Sequence, residues 1–277
     1  MPDGVIFLLL VLLGIGVATY GTMIGAGGGF VLTPLLLLLY PGLGPEVVTS
    51  ISLCAVFFNS ISGSLAYWRQ KRIDFSVALI FAGAEVPGAI AGAFTTELIP
   101  RALFEGLFAL ILLGTAAALV LKPAPRVAAA APVGGRSRRR MHTDFHGETY
   151  SYTFNPVQAV LIGIGIGYIS AAFGVGGGFI YVPVMVLMMR FPAYIATATS
   201  TFALMFASGG ATLVHLGSSH YSEVALETVA ITCGVLVGAQ VGAFLSVRLA
   251  HRQAIIMRLL SAALLVVGTR LLIGPLL

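Results

Sequence analysis

Two stretches, GAGGGFVLTP from Gly25 and GVGGGFIYVP from Gly174, carry the clearest chemical signal in this sequence. Each joins Gly-x-Gly-Gly-Gly-Phe to a proline, Pro34 in one and Pro183 in the other. A glycine costs a helix roughly 1 kcal/mol relative to alanine, so each run breaks any helix it interrupts. The second half of a broken helix begins with unpaired N–H groups at the positive end of its dipole. Glycine lets an anion approach that backbone and adopts unusual dihedrals without steric cost. The expected chemistry is anion binding by main chain, with Gly25, Gly27, Gly28 and Gly29 in one run and Gly174, Gly176, Gly177 and Gly178 in the other. The competing reading is close helix packing through small residues. Nucleotide-loop patterns fail, because the first run lacks the last glycine of G-x-G-x-x-G and no Gly-Lys-Ser/Thr follows it.

Other polar residues lie within apolar surroundings. Thr49-Ser50 and Thr199-Ser200 can donate hydroxyl hydrogens to an oxyanion without the desolvation cost of a buried lysine, or can bond their own helix backbone. Asn59 and Gln240 are the amides deep in apolar blocks and serve either the same path or as interhelical glue. Glu85, in FAGAEVPGAIAG, is a carboxylate inside a span and so a candidate proton carrier. Its partner at the repeat spacing is Val235. No lysine or arginine lies near either glycine run in sequence, which leaves binding to dipoles and hydroxyls. Cys54 and Cys233 read as small packing residues without metal or disulfide spacing. His215 and His220 read as a solvated loop end, and no metal or cofactor is expected.

The elements that must hold these residues are membrane helices. The chain of 277 residues is 58% hydrophobic and 9% charged, with mean hydropathy +1.01; a soluble domain carries about 25% charge. Apolar blocks of about 20 residues, a bilayer-spanning length, fall near 4–24, 46–68, 75–96, 102–121, 156–173, 192–214, 224–247 and 253–275. The expected fold is an all-α polytopic membrane protein; a β-barrel would alternate in shorter segments. The start carries Asp3 in place of a basic region and reads as a first membrane helix rather than a signal peptide. The net charge of +5 gathers at Lys122, Arg126, Arg136, Arg138, Arg139 and Arg140. It reads as topology signal and attraction to anionic lipid, not as a nucleic-acid surface.

The halves repeat. The glycine runs, the Thr-Ser pairs, and PGAIAGAF (87–94) with VGAQVGAF (237–244) recur in order at spacings of 149 or 150 positions. Residues 1–122 form a first transmembrane repeat and 155–277 a second, each of four to five membrane segments, joined by a basic cytoplasmic linker, 123–154, rich in Pro, Gly and charge. If each glycine block crosses once, the repeats are parallel, and Arg190, Arg248 and Arg252 lie opposite the RQKR loop (69–72). If each block turns back at its glycines, the repeats are inverted and those arginines join RQKR and the linker on the cytoplasmic side, leaving Arg101 and the terminal-helix arginines outside or buried. The inverted arrangement satisfies the positive-inside rule better and is adopted, with broken or re-entrant helices at the glycines.

Gly-x-Gly-Gly-Gly-Phe-x-x-x-Pro followed by Thr-Ser, once in each half, resembles the TauE/SafE family of sulfite and organosulfonate exporters over nearly the whole chain except the linker. The resemblance implies a secondary carrier of sulfur-containing anions, such as sulfite or sulfoacetate, in the cytoplasmic membrane, with the Thr-Ser pairs lining its site. The implied partners are a small anion and the bilayer, with a homodimer as an option. The rival readings are an anion channel of the same fold and an intramembrane enzyme, which would need a nucleophile–base pair that no Ser or Cys here is spaced to form.

Overall fold

The computed structural model describes residues 3–121, 138–144, 147–217, 224–248 and 253–273. Among these residues ten helices and one hairpin follow in order: α1 (Asp3–Ile24), α2 (Gly29–Leu39), α3 (Pro45–Arg69), α4 (Phe75–Thr96), α5 (Arg101–Leu121), β1 (Arg138–Thr143), β2 (Thr149–Phe154), α6 (Pro156–Ala172), α7 (Gly178–Leu187), α8 (Ala193–Gly217), α9 (Ala225–Arg248) and α10 (Gln253–Ile273). Among the described residues, α1, α3, α4, α5, α9 and α10 are long and apolar enough to cross a membrane. The protein is an all-α polytopic membrane protein. The block at 156–173 becomes α6, only 17 residues long. The block at 192–214 becomes α8, 25 residues long but interrupted by the hydroxyls of Thr197, Thr199, Ser200, Thr201, Ser208 and Thr212.

Glycines and alanines set the helix pairing. A Cβ on Gly234, Gly238 or Gly242 of α9 would strike the carbonyl of Val11, Ile15 or Thr19 of α1, so these helices touch backbone to backbone and run in the same direction. Gly88 and Gly92 of α4 meet the carbonyls of Ile164 and Tyr168 of α6 in the same way. The recurring PGAIAGAF and VGAQVGAF segments are thus the faces that let these pairs close. Helices α3 and α8 pack together at the centre, and α5 packs with α10. Exchanging the first five helices for the last five reproduces this set of neighbours. Burial follows: 78% of the α3 span is covered within the protein, against 28% of α1 and 33% of α5.

The glycine runs turn the chain back. Gly29 lies beside Val56 and Thr33 bonds Ser52, so α2 runs against α3. Bonds from Ser62 to Leu236, Gln70 to Ala243 and Arg72 to Ser246 make α3 run with α9, and hence with α1. The chain therefore enters on α1, reverses at the glycines, returns on the 11-residue α2, and crosses on α3. Because α4 follows α3 through the short loop 70–74 and runs beside α6, α1 and α6 point in opposite directions.

The end of the bundle holding the α3–α4 and α7–α8 loops also carries the hairpin. Within the linker 123–154, Arg138–Thr143 pairs antiparallel with Thr149–Phe154. Tyr152 and Phe154 are buried. The Tyr152 hydroxyl donates to Asp74 Oδ2 at 2.6 Å, Arg140 Nε lies 3.1 Å from the same oxygen, and the Tyr152 ring packs 3.9 Å from that of Phe191. Burial and the Asp74 carboxylate push the Tyr152 phenol pKa up, which keeps it a donor. Lys122, Arg126 and Arg136 lie outside the described residues.

Candidate functional site

Both glycine runs begin as helix stops. Gly25 adopts φ +77° and Gly174 φ +65°, the left-handed conformation that lets a helix terminate in a Schellman motif. Ala26 N donates to Gly21 O at 2.8 Å and Gly25 N to Thr22 O at 3.0 Å; Val175 N donates to Ser170 O at 2.9 Å and Gly174 N to Ala171 O at 3.2 Å. Each stop rests on the central helix of the other half. A Cβ on Gly25 would lie 2.5 Å from Thr197 Cα, and one on Gly174 2.6 Å from Thr49 Cα.

Beyond the stops the two turns interlock. A Cβ on Gly29 would strike Val175 O, and one on Gly178 would strike Gly25 O and lie 2.7 Å from Ala26 Cα. Phe30 and Phe179 stack across the junction with ring centroids 6.1 Å apart. The structure thus brings the eight candidate glycines together at the centre of the bundle. Neither α2 nor α7 has a side-chain cap on its first turn, so two positive helix ends meet there. Pro34 and Pro183 sit inside α2 and α7, each removing one further helix bond.

The turns differ in detail. Gly28 has φ +82°, but Gly177, its counterpart, has φ −48°. Gly177 N donates to Ser170 Oγ at 2.6 Å. Glu85 is buried on α4, with Oε1 3.5 Å from where a Cβ on Gly177 would stand. It also faces the Tyr181 hydroxyl, outside strict hydrogen-bond geometry. A buried carboxyl group thus sits beside the N-terminus of α7, while the matching position on α9 is Val235. On the other turn Asn59 acts as a clamp: its Nδ2 donates to Gly27 O at 3.2 Å and its Oδ1 accepts from Thr22 Oγ1 at 2.9 Å.

The hydroxyl pairs require a correction of register. The equivalents by contact are Thr49 and Thr197, 148 positions apart, because α3 starts at Pro45 and α8 at Ala193. Residues two apart on a helix face nearly opposite sides, so the letter match of Thr199 with Thr49 selects the wrong face. Thr199 Oγ1 accepts from Asp74 N at 3.2 Å, away from the turns. Thr49 and Ser50 donate to their own helix at Glu46 O and Val47 O. Ser200 does reach a turn, donating to Gly25 O at 3.1 Å. Thr33, which sequence reasoning missed, donates to Gly174 O at 2.9 Å and to Ser52. Gln240 Nε2 donates to Ser62 O at 2.7 Å, joining α9 to α3 as interhelical glue away from the turns.

Further corrections concern surroundings. His215 is buried within α8, not solvated; His220 lies outside the described residues. Cys54 is buried as expected, but Cys233 is exposed on the bundle surface. Although no cation neighbours a glycine run in sequence, the fold brings Arg72 to one. Its side chain is fully buried, and Nη2 donates to Thr197 Oγ1 at 2.9 Å, directly beside the Gly25 stop. No local pattern marks it, since in RQKR it reads as one of several loop charges.

The model of the family described as sulfite exporter TauE/SafE matches residues 10–271. The chain is 30% identical over 274 residues to the probable membrane transporter protein YunE of Bacillus subtilis, covering 96% of this chain and 97% of that protein. It is 28% identical to the probable membrane transporter protein YdhB of the same organism, over 85% of this chain and 87% of that one. To the probable membrane transporter protein MJ0441 of Methanocaldococcus jannaschii it is 25% identical, over 75% and 72%. No solved structure matches. With its membrane-length helices and paired glycine turns, the chain belongs to the sulfite exporter TauE/SafE family of membrane transporters.

Proposed function

We propose that this protein is a secondary transporter that exports a small sulfur-containing oxyanion, sulfite or an organosulfonate such as sulfoacetate, by alternating access of two inverted halves. The observation that carries this reading is the meeting of two half-helix N-termini at the centre of the bundle, each with glycine at its N-cap, the α7 end already giving Gly177 N to Ser170 Oγ. Main-chain N–H groups and helix dipoles there suit an anion. Backbone seated on backbone leaves no space between Gly29 and Val175, so binding requires the turns to part. A shift of the turn-bearing segments against the central helices α3 and α8, on which the turns rest, parts them. Hydroxyls of Ser60, Ser64 and Thr212 on those central helices are buried without a hydrogen-bond partner among the described residues and are available to line the opened path.

The hairpin end carries Arg69, Lys71, Arg139, Arg140, Arg190 and Arg248, against Arg101 and Arg270 at the other, and is assigned to the cytoplasm. A membrane potential negative inside drives an anion outward by about 2.3 kcal/mol per charge per 100 mV. Glu85, beside the α7 N-terminus, is the group through which a proton would couple. The test is flux of sulfite, sulfoacetate, thiosulfate and sulfate in proteoliposomes, with and without a pH gradient. Saturable flux with counter-transport is expected. Non-saturating flux without counter-transport would assign a channel, and no flux of any of the four would sink the reading.

A further inference from the structure

We propose that Arg72 is the charge-selecting residue of the anion path, supplying the fixed positive charge at the hairpin end of the Gly25 turn. This rests on the anion-transport reading and goes beyond it by naming the group that gives the site its sign.

The environment of Arg72 is unusual for a buried guanidinium. Nε donates to Tyr194 O at 3.2 Å, Nη1 to Gln70 Oε1 at 3.0 Å and Ser246 Oγ at 2.6 Å, and Nη2 to Tyr194 O at 2.7 Å and Thr197 Oγ1 at 2.9 Å. Every one of these acceptors is neutral. Asp74, two residues on, is engaged instead by Arg140 and the Tyr152 hydroxyl. Among the described residues no carboxylate forms a salt bridge with Arg72, and Asp144 attracts it only from a distance. The guanidinium carbon lies 3.6 Å from the Tyr194 ring centroid and 4.4 Å from that of Tyr67, whose hydroxyl donates to Thr22 O at the end of α1.

Taking a charge out of water without an ionic partner costs several kcal/mol, and aromatic faces return only part of that. A neutral side chain could pin these segments together more cheaply, so the charge itself has a use. Through Thr197 it reaches the Gly25 stop, on which Ser200 also converges. Burial keeps its field unscreened. The guanidinium is the residue type that holds its charge in such a place. When the turns part, the Thr197 hydroxyl and the fork behind it border the gap on its cytoplasmic side.

The experiment compares Arg72→Gln and Arg72→Lys for concentration-dependent uptake of radiolabelled sulfite and sulfate into proteoliposomes, normalised to reconstituted protein. Arg72→Gln should raise KM about tenfold, the scale of one charge-assisted hydrogen bond, while Arg72→Lys, which keeps the charge but not the planar fork, stays within about threefold of wild type. Equal damage from both, or an unchanged KM in Arg72→Gln, overturns the proposal and leaves Arg72 as a staple. Should Arg72→Gln not reach the membrane, Thr197→Val decides: KM about threefold higher supports the relay, and an unchanged KM overturns it. Wild-type protein that moves none of sulfite, sulfoacetate, thiosulfate and sulfate removes the transport reading and this inference together. Wild-type transport with an unaffected Arg72→Gln removes this inference alone.

Discussion

The turn at Gly25–Gly29 and the turn at Gly174–Gly178 share a sequence motif, a Schellman stop and a seat on the opposite half's central helix. They part company one residue before the half-helix begins. Gly28 takes a left-handed conformation beside Val17, whereas Gly177 does not, and its N–H is already held by Ser170. One turn is approached by a buried cation, Arg72 through Thr197, and the other by a buried carboxyl, Glu85. The pair is alike where it must stop a helix and different where it would meet a ligand. An anion is therefore expected to favour the α2 turn, with the α7 turn reserved for the proton-bearing group.

The largest effects should fall on the shared part and be equal. Alanine at Gly25 or Gly174 forces a side chain into a left-handed residue and into the backbone of Thr197 or Thr49. Left-handed strain of about 1–2 kcal/mol per residue and overpacking of about 1–3 kcal/mol should add. Thermal unfolding of both purified variants should fall by similar, large amounts; an intact Gly174→Ala beside a collapsed Gly25→Ala would break the symmetry claimed for the stops.

At the next position the variants should separate. Gly28→Ala is strained at φ +82°, with Val17 O 3.1 Å from the new methyl, and should lose most transport. Gly177→Ala has an allowed φ and meets chiefly the Ile166 side chain, which can shift, so it should keep more. Equal loss of initial uptake rate would dissolve the distinction between the turns.

The stops themselves were legible in the sequence. Consecutive glycines in an apolar block announce a break, and two copies at one spacing announce a pair. The positive-inside count favoured a chain that turns back at each, which is the path of α1 and α2. What was not legible was which side chains surround the breaks. Matching Thr49-Ser50 to Thr199-Ser200 by letters misses that α8 begins two residues earlier in register than α3, and so misses Thr197. Arg72 was hidden because loop charges at a membrane edge look alike until folding buries one. The hairpin was hidden because Pro, Gly and arginine dominate the composition of a linker whose last part, TYSYTF, alternates as a strand.

A smaller effect should follow from Glu85→Gln. It keeps the shape beside Gly177 but removes the titrating proton, so flux at symmetrical pH should persist while the response to a pH gradient disappears. A pH response equal to wild type would return Glu85 to a packing role. Smaller still are the hydroxyls that tie the turns down. Ser200→Ala removes the bond to Gly25 O and Thr33→Val the bond to Gly174 O; each should cost about 1 kcal/mol of stability in chemical denaturation. Thr49→Ala should do less, since its hydroxyl bonds only its own helix. The reverse order would mean that Thr49 contacts substrate.

The central claim is that an anion binds main chain exposed between the two glycine turns, and equilibrium binding of radiolabelled sulfite to purified Gly28→Val tests it most directly. The β-branched side chain obstructs the backbone and disfavours positive φ. The control is Gly83→Val, a helix position with open space around it. Binding to Gly28→Val should weaken by at least about tenfold, the equivalent of 1.4 kcal/mol, while Gly83→Val binds as wild type does. Folded Gly28→Val protein that binds sulfite with wild-type affinity would contradict the account and leave the glycines as packing devices.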